Sequence, residues 1–345
     1  MFSDVRRLVI SALFIVVAVY PDFAHAETHE FFKGKTVRIV VGFTAGGAFD
    51  VYSRTIARHM GQYIAGNPTI IVENMPGAGG LVAANHIYKA ATPDGLSIGN
   101  FIGGLFVGQV LGRPGIEFDA LKFEYLGSPM RENTVCVTTK ASSITTIEKW
   151  RTANVPVKVG ATAPGASTHD SAAVLKAALD LPIQIVSGYK GAPEIRLAMQ
   201  NGELDGTCTS WESIRVTSRD EIQSGDAVVV LQITPNVHPE LPNVPAAIKL
   251  AKTERSRQLI QAGIHDVSTV VRPYVVPPGT PKTRVQILRK AFSDTLQNPK
   301  FLADAKKSNL DLEPISGEEL EKTVAKLFKI SPSVREDLSK ALLAK

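Results

Sequence analysis

Hydrophobic positions along the chain follow two rhythms. Short, nearly continuous β-branched and apolar runs read as buried strands: Thr36–Phe43 (TVRIVVGF), Thr69–Val72, Leu96–Phe101, Thr134–Thr138, Val157–Ala161, Ile183–Ser187, Asp205–Thr209 and Ala227–Ile233. Between them lie stretches with apolar residues on one side of a helical period. The first is Phe49–Gln62, where Val51, Ile56, Ala57 and Met60 gather, followed by Leu81–Ala91, Thr146–Arg151, Thr168–Leu179, Pro193–Gln200 and Glu212–Gln223. From Pro281 the pattern is helical throughout: Pro281–Gln297, Pro299–Ser308, Gly317–Lys329 and Ser331–Leu343, with Pro, Ser or Gly marking each start. Strand-then-helix order predicts an α/β fold of parallel sheets flanked by helices. One sheet holds the first three strands and another the middle five. No internal repeat is evident, which sets a solenoid aside.

The first residues carry a different pattern. Arg6 and Arg7 precede the apolar run Leu8–Val19, Pro21 breaks it, and Ala24-His25-Ala26 places small residues where a signal peptidase reads. This is the layout of a secretory signal over residues 1–26, cleaved after Ala26. The run is too short for a membrane-spanning helix. The expected location is therefore periplasmic, and in an oxidising compartment Cys136 and Cys208 can pair; unpaired buried thiols are the alternative.

Composition narrows the partners. The 345 residues suggest two domains, and 44% hydrophobic with 21% charged residues is ordinary globular usage, which sets disorder aside. Aromatics at 7% are too few for an aromatic-lined nucleic-acid channel, and the net charge of +5 is spread without a basic run. A small anion fits better than nucleic acid.

An open α/β sheet binds ligands beyond the carboxyl ends of its strands, and those ends carry similar residues here. Thr44-Ala45-Gly46-Gly47-Ala48-Phe49-Asp50 follows the first strand, Gly77-Ala78-Gly79 the second, and Gly103-Gly104 the third. Pro164-Gly165-Ala166-Ser167-Thr168-His169 follows a strand and opens a helix. Glycine lets backbone approach a ligand, and the first turn of a helix offers unpaired N–H groups to a carboxylate. Four such turns point to a small-anion cleft.

Catalytic and cofactor motifs are thin. Gly77-Ala78-Gly79 has Val82 where a dinucleotide fingerprint needs its third glycine. No phosphate-loop or G-x-S-x-G motif occurs, and His29-Glu30 has Lys33 where a zinc protease needs its second histidine. Neither a cofactor nor a metal is expected. Ser167, His169 and Asp170 are the residue types of a triad, but neighbours on a helix point about 100° apart and cannot line up. Two alternatives stay open: a hydrolase or transferase centred on Ser167 and His169, and a ligand-sensing partner of a signalling receptor.

The stretches TVRIVVGFTAGGAFDVYSRTIARHM, PTIIVENMPGAGGLVAANHIY and ATPDGLSIG resemble the start of the Bug-type substrate-binding proteins of tripartite tricarboxylate transporters. Tyr189-Lys190-Gly191-Ala192, Asn201–Asp205, Pro277–Pro281 and Asn298-Pro299 extend the likeness over nearly all of the exported chain. The resemblance implies a two-lobed type II periplasmic binding protein fold, each lobe a mostly parallel sheet flanked by helices, with two crossovers at the hinge. Lobe 1 would be residues 27–127 plus 271–345, and lobe 2 residues 128–270. It implies a monomer that holds a small organic carboxylate between the lobes, through Thr44–Asp50 and the turn before Ser167–His169, and delivers it to a membrane permease. Cys136 and Cys208 would fall on neighbouring strands of lobe 2. Further cleft candidates are Tyr189, Lys190 and Trp211, of which the two aromatics could instead fill the core. The chain departs from the family pattern at Thr44-Ala45 and at Ala163-Pro164-Gly165-Ala166-Ser167.

Overall fold

The computed structural model describes residues 31–162, 164–189 and 191–343. The signal segment, 1–26, and Lys190 lie outside them. Strand β1 (Thr36–Val41) divides its side chains between two cores, as strand pleating demands. Val37, Ile39 and Val41 join Ile56 and Met60 of helix α1 (Ala48–Met60). Val40 faces the other way, toward Ala83 and Ile87 of α2 (Leu81–Lys89). Strands β2 (Thr69–Asn74) and β3 (Ser97–Asn100) pair with β1 in parallel, so the three turns that follow them gather on one edge.

This sheet is larger than the sequence pattern indicated. After α3 (Gly104–Val110), β4 (Glu124–Ser128) joins it. The chain then leaves to build a second sheet from β5 (Thr134–Thr139), β6 (Val157–Ala161), β7 (Ile183–Ser187), β8 (Gly206–Ser210) and β9 (Ala227–Gln232). It returns to the first with β10 (Tyr274–Val276) and β11 (Ile315–Ser316). The strand orders are β11-β4-β10-β3-β1-β2 and β7-β6-β8-β5-β9. Both sheets are mixed: β5, β10 and β11 run antiparallel to their neighbours, while β1–β3 and β6–β8 pair in parallel. The reason is topological. At β5 the chain arrives from β4 across residues 129–133 with no helix between, and parallel entry needs a long crossover connection.

The second sheet carries α4 (Ile147–Arg151), α5 (Ser167–Leu179) and α6 (Ala192–Gln200), while the Glu212–Gln223 pattern is split at Ser218 into α7 (Trp211–Thr217) and α8 (Arg219–Ser224). The return path contains the short helices α9 (Ala247–Leu250), α10 (Glu254–Ile260) and α11 (Asp266–Thr269), which the sequence pattern did not reveal. The helical tail is α12 (Lys282–Gln297), α13 (Pro299–Lys307), α14 (Gly317–Leu327) and α15 (Pro332–Leu343).

Helix α15 follows the first sheet in sequence but packs on α5 and α10 of the second. Its Leu338 shares a core with Val174 and Leu175, and Asp337 pairs with Arg255. Gly263 makes the fit: a Cβ there would stand 2.8 Å from both Leu338 and Val174. The tail thus ties the two halves together.

Cys136 and Cys208 sit opposite each other on β5 and β8, fully buried and joined by a disulfide that closes 72 residues of chain. A loop of that size restricts the unfolded chain enough to contribute about 2–4 kcal/mol. The Cys136→Ala/Cys208→Ala double variant should lose that amount in a denaturant titration, and reductant should move the wild-type midpoint in the same direction; a midpoint indifferent to both would contradict this.

Candidate functional site

The turn after β1 is organised by one carboxylate. Asp50, in the first turn of α1 and only 2% exposed, accepts from the Gly46 amide at 2.8 Å, from Arg54 Nε at 2.9 Å and from Asn74 Nδ2 at 2.9 Å. Asn74, at the end of β2, also donates to the Phe43 carbonyl at 2.9 Å and accepts from Arg54 at 3.0 Å. Burial pushes the Asp50 carboxyl upward, but Arg54, the Gly46 amide and Asn74 outweigh it and hold the group below its usual 3.8. Asp50 therefore faces inward as the post of the turn. Gly46 takes a φ of +79°, which glycine allows without strain.

The turn after β6 repeats the device. Asp170, in the first turn of α5, accepts from the Gly165 amide at 2.9 Å and pairs with His169 Nδ1 at 3.0 Å. Thr168 Oγ1 accepts from the Thr162 amide at 3.1 Å, tying the helix start to the strand end. Ser167 donates to Glu132 Oε1 at 2.9 Å. In both turns an aspartate fixes a glycine amide, and the helix that follows begins beside it.

Those helices begin without side-chain caps. Gly47 precedes α1, Gly80 precedes α2, Ala166 precedes α5 and Gly191 precedes α6, and none supplies a capping hydrogen bond. Elsewhere Thr146, Ser210, Thr253, Asn298 and Ser316 cap α4, α7, α10, α13 and α14, while Ala246 and Pro281 leave α9 and α12 uncapped. A helix start whose cap residue lacks a side-chain oxygen keeps first-turn amides available to an outside acceptor.

The two sets of turns meet. A Cβ on Gly104 would stand 3.4 Å from the Gly165 carbonyl oxygen, and one on Gly165 would stand 3.3 Å from Arg113 Nη1, so the turn after β3 faces the turn after β6. On another flank Arg215 of α7 pairs with Asp311 at 2.7 Å, and the Asp311 carbonyl accepts from Tyr52 of α1 at 2.7 Å. The sheets are closed toward each other at both places.

The remaining sequence candidates divide. Thr44 and Ala45 are in the first turn, with the Thr44 carbonyl accepting from Gly47 at 3.4 Å. Gly77, Ala78, Gly79 and Gly80 form a run of positive φ beside it, and a Cβ on Gly42 would lie 2.8 Å from the Gly80 Cα. Close packing of two backbones accounts for much of that glycine content. Gly103 abuts the return path: a Cβ there would be 1.8 Å from the Val270 carbonyl. Trp211 is 7% exposed, packed with Ile195, Met199 and Leu241, and donates to Glu240 at 2.7 Å. Tyr189 is half-buried against the same cluster. Pro164 and Ala166 complete the second turn, and Lys190 is outside the described residues.

Sequence reading missed Glu132 and Arg272, which lie where the chain crosses between the sheets. No periodicity marks such segments. Among the described residues no group of three or more His, Cys, Asp and Glu is placed to hold a metal, and no helix is long and apolar enough to cross a membrane.

The family model described as "Tripartite tricarboxylate transporter family receptor" matches residues 52–337. The chain belongs to this family. A relative from Cupriavidus necator, described as "UPF0065 protein in gbd 5'region", is 26% identical over 305 residues, covering 86% of this chain and 84% of the relative. The crystal structure of a TctC solute binding protein from Polaromonas shares the fold with a TM-score of 0.70 at 16% identity, over 89% of this receptor and 98% of that chain. MatC from Rhodopseudomonas palustris, solved with bound malate, superposes with a TM-score of 0.62 at 20% identity, over 88% and 99% of the two chains. The receptor therefore has the two-lobed fold of these binding proteins.

Replacing Asp50 by Asn keeps the shape of the turn post but removes its charge. Charge-assisted hydrogen bonds contribute about 1.5–3 kcal/mol each, so a loss of roughly 1–3 kcal/mol is expected at neutral pH. Because the folded carboxyl is held low, its stabilisation is complete above 3.8 and drains away as pH falls below that value. Denaturant titrations of Asp50→Asn and wild type should therefore converge in acid; a gap independent of pH would contradict the role.

Proposed function

We propose that this receptor captures a small organic carboxylate between its two lobes in the periplasm and delivers it to the membrane permease of a tripartite transporter. The observation that carries the reading is that a turn at a strand end in each sheet has a glycine amide fixed by an aspartate and runs into an uncapped helix. The malate in the Rhodopseudomonas relative supports the ligand class.

Lobe 1 comprises residues 27–127 and 271–345, and lobe 2 residues 128–270, with α15 of the first lobe strapped onto the second. An open receptor offers two half-sites. The ligand bridges them and shifts a pre-existing equilibrium toward the closed form by its preference for that form. A carboxylate at one helix end gains about 0.3–2 kcal/mol. Micromolar binding needs about 8 kcal/mol, so the rest comes from further hydrogen bonds and from water released on closure. The receptor acts as a monomer, takes no nucleic acid and performs no chemistry on its cargo. The Ser167 hydroxyl donates to Glu132 rather than to His169, so the serine–histidine hydrogen bond that the hydrolase alternative needs is not made.

Calorimetric titration with a panel of small carboxylates should find one that binds one-to-one, and mass spectrometry should recover it unaltered. Ser167→Asp, which sets a second carboxylate beside Glu132 and the bound anion, should weaken that binding by about tenfold. Turnover of the ligand, or a receptor indifferent to every acid in the panel, would refute the reading.

A further inference from the structure

Arg272 sits on the second crossover between the sheets. Its guanidinium lies 4.4 Å from the Phe49 ring centroid and 5.0 Å from that of Tyr52, so it is held over two rings in the first turns of α1. Its Nε donates to Met130 Sδ at 3.2 Å, a weak acceptor. Its Nη1 is shut off from solvent and has no hydrogen-bond partner among the described residues. Other arginines at the same junction are paired with acids: Arg131 with Glu313 and Glu319, and Arg215 with Asp311 and Glu240. A guanidinium with a dry, unpaired N–H is costly to keep unless something anionic completes it.

Glu132 sits on the first crossover. Its amide donates to the Ser268 carbonyl at 3.2 Å, which fixes the backbone, and its Oε1 accepts from Ser167 at the start of α5. One hydrogen bond leaves most of the acceptor capacity of a carboxylate unused. The neighbouring acid, Glu212, is by contrast occupied, accepting from Asn133 and from Ser210, each at 2.7 Å. Burial pushes the Glu132 carboxyl upward and Glu212 adds to that, while the charge of Arg272 and the Ser167 bond pull it back. Arg272 is thus near enough to act on Glu132, and the two stand between the start of α1 and the start of α5.

We propose that Arg272 and Glu132 read the ligand directly, Arg272 taking its carboxylate and Glu132 accepting from a donor carried on the adjacent carbon, so that the receptor is built for α-hydroxy or α-amino acids. The proposal rests on the inter-lobe reading above and narrows it. A plain dicarboxylate such as succinate brings no donor to Glu132 and leaves its acceptor capacity unused. A hydroxyl or ammonium group beside the carboxylate instead supplies the hydrogen that Glu132 lacks. The rings of Phe49 and Tyr52 hold the guanidinium flat and in place before the ligand arrives, which limits the side-chain entropy lost on binding.

The test is calorimetric titration of the purified receptor with succinate, L-malate and L-aspartate. The wild type should hold L-malate or L-aspartate roughly tenfold or more tighter than succinate, and which of the two is tighter separates the hydroxy from the amino class. Arg272→Gln should weaken the favoured acid by roughly ten- to a hundredfold, with Arg272→Lys retaining part of the affinity. Glu132→Gln should erase the preference over succinate, and it keeps the test alive should Arg272→Gln fail to fold. Melting of the unliganded variants checks folding, and removal of an unpaired buried charge should leave the Arg272→Gln melting temperature at or above that of wild type. A wild type that prefers succinate, or an Arg272→Gln receptor with unchanged affinity, overturns the proposal and leaves the inter-lobe carboxylate site standing. A wild type that binds none of the three acids also overturns the proposal, and the inter-lobe reading is then decided by the wider carboxylate panel.

Discussion

The receptor depends on a buried carboxylate that never needs to meet its ligand. Asp50 gathers the Gly46 amide, Arg54 and Asn74 into one cluster, which fixes the turn after β1 against the end of β2. Asp170 does the same for the Gly165 turn after β6. Backbone donors are weak recognition elements unless they are held still, because each ordered residue loses conformational entropy. Two aspartates pay that entropy in advance. The helices that follow then begin on Gly47 and Ala166, whose side chains make no capping hydrogen bond.

The same economy governs how the lobes are joined. The crossovers carry the charged residues that sequence periodicity does not show, and each is tied down: Arg131 by Glu313 and Glu319, Glu132 by the Ser268 carbonyl, Gly103 by contact with Val270. Helix α15 adds a strap from the end of the chain to α5, the helix whose start forms half of the site. A motion of one lobe relative to the other must therefore carry α5 and α15 together. Arg215–Asp311 and the Gly104–Gly165 approach are the contacts that such a motion would break.

Much of this was legible in the residues. The runs at β1 and β5–β9 and the helices of the tail are marked by period and by Pro, Ser or Gly at their starts, and the glycine turns fall at strand ends because the backbone there must turn sharply. What escaped has a physical cause in each case. β4 carries Glu, Gly and Ser among its five buried residues, and β10 and β11 have three and two residues, so no apolar run long enough marks them. They are strands because the sheet offers partners. Ser167 and Thr168 were recognisable as donors, but only the fold shows that their hydroxyls point to Glu132 and Thr162 rather than leaving both free for an anion. Trp211, a candidate for the cleft, is packed in a core because Glu240 lies where its indole N–H can donate. Glu132 and Arg272 acquire meaning only where two crossovers meet.

The most direct test of the central claim is nuclear magnetic resonance of the receptor with ¹⁵N-labelled glycine and serine, titrated with the carboxylate it binds. The account predicts that the Gly46 and Gly47 amides of one lobe and the Ser167 amide of the other shift together along a single saturation curve. Saturable binding that moves only one lobe's amides, or neither, would contradict it.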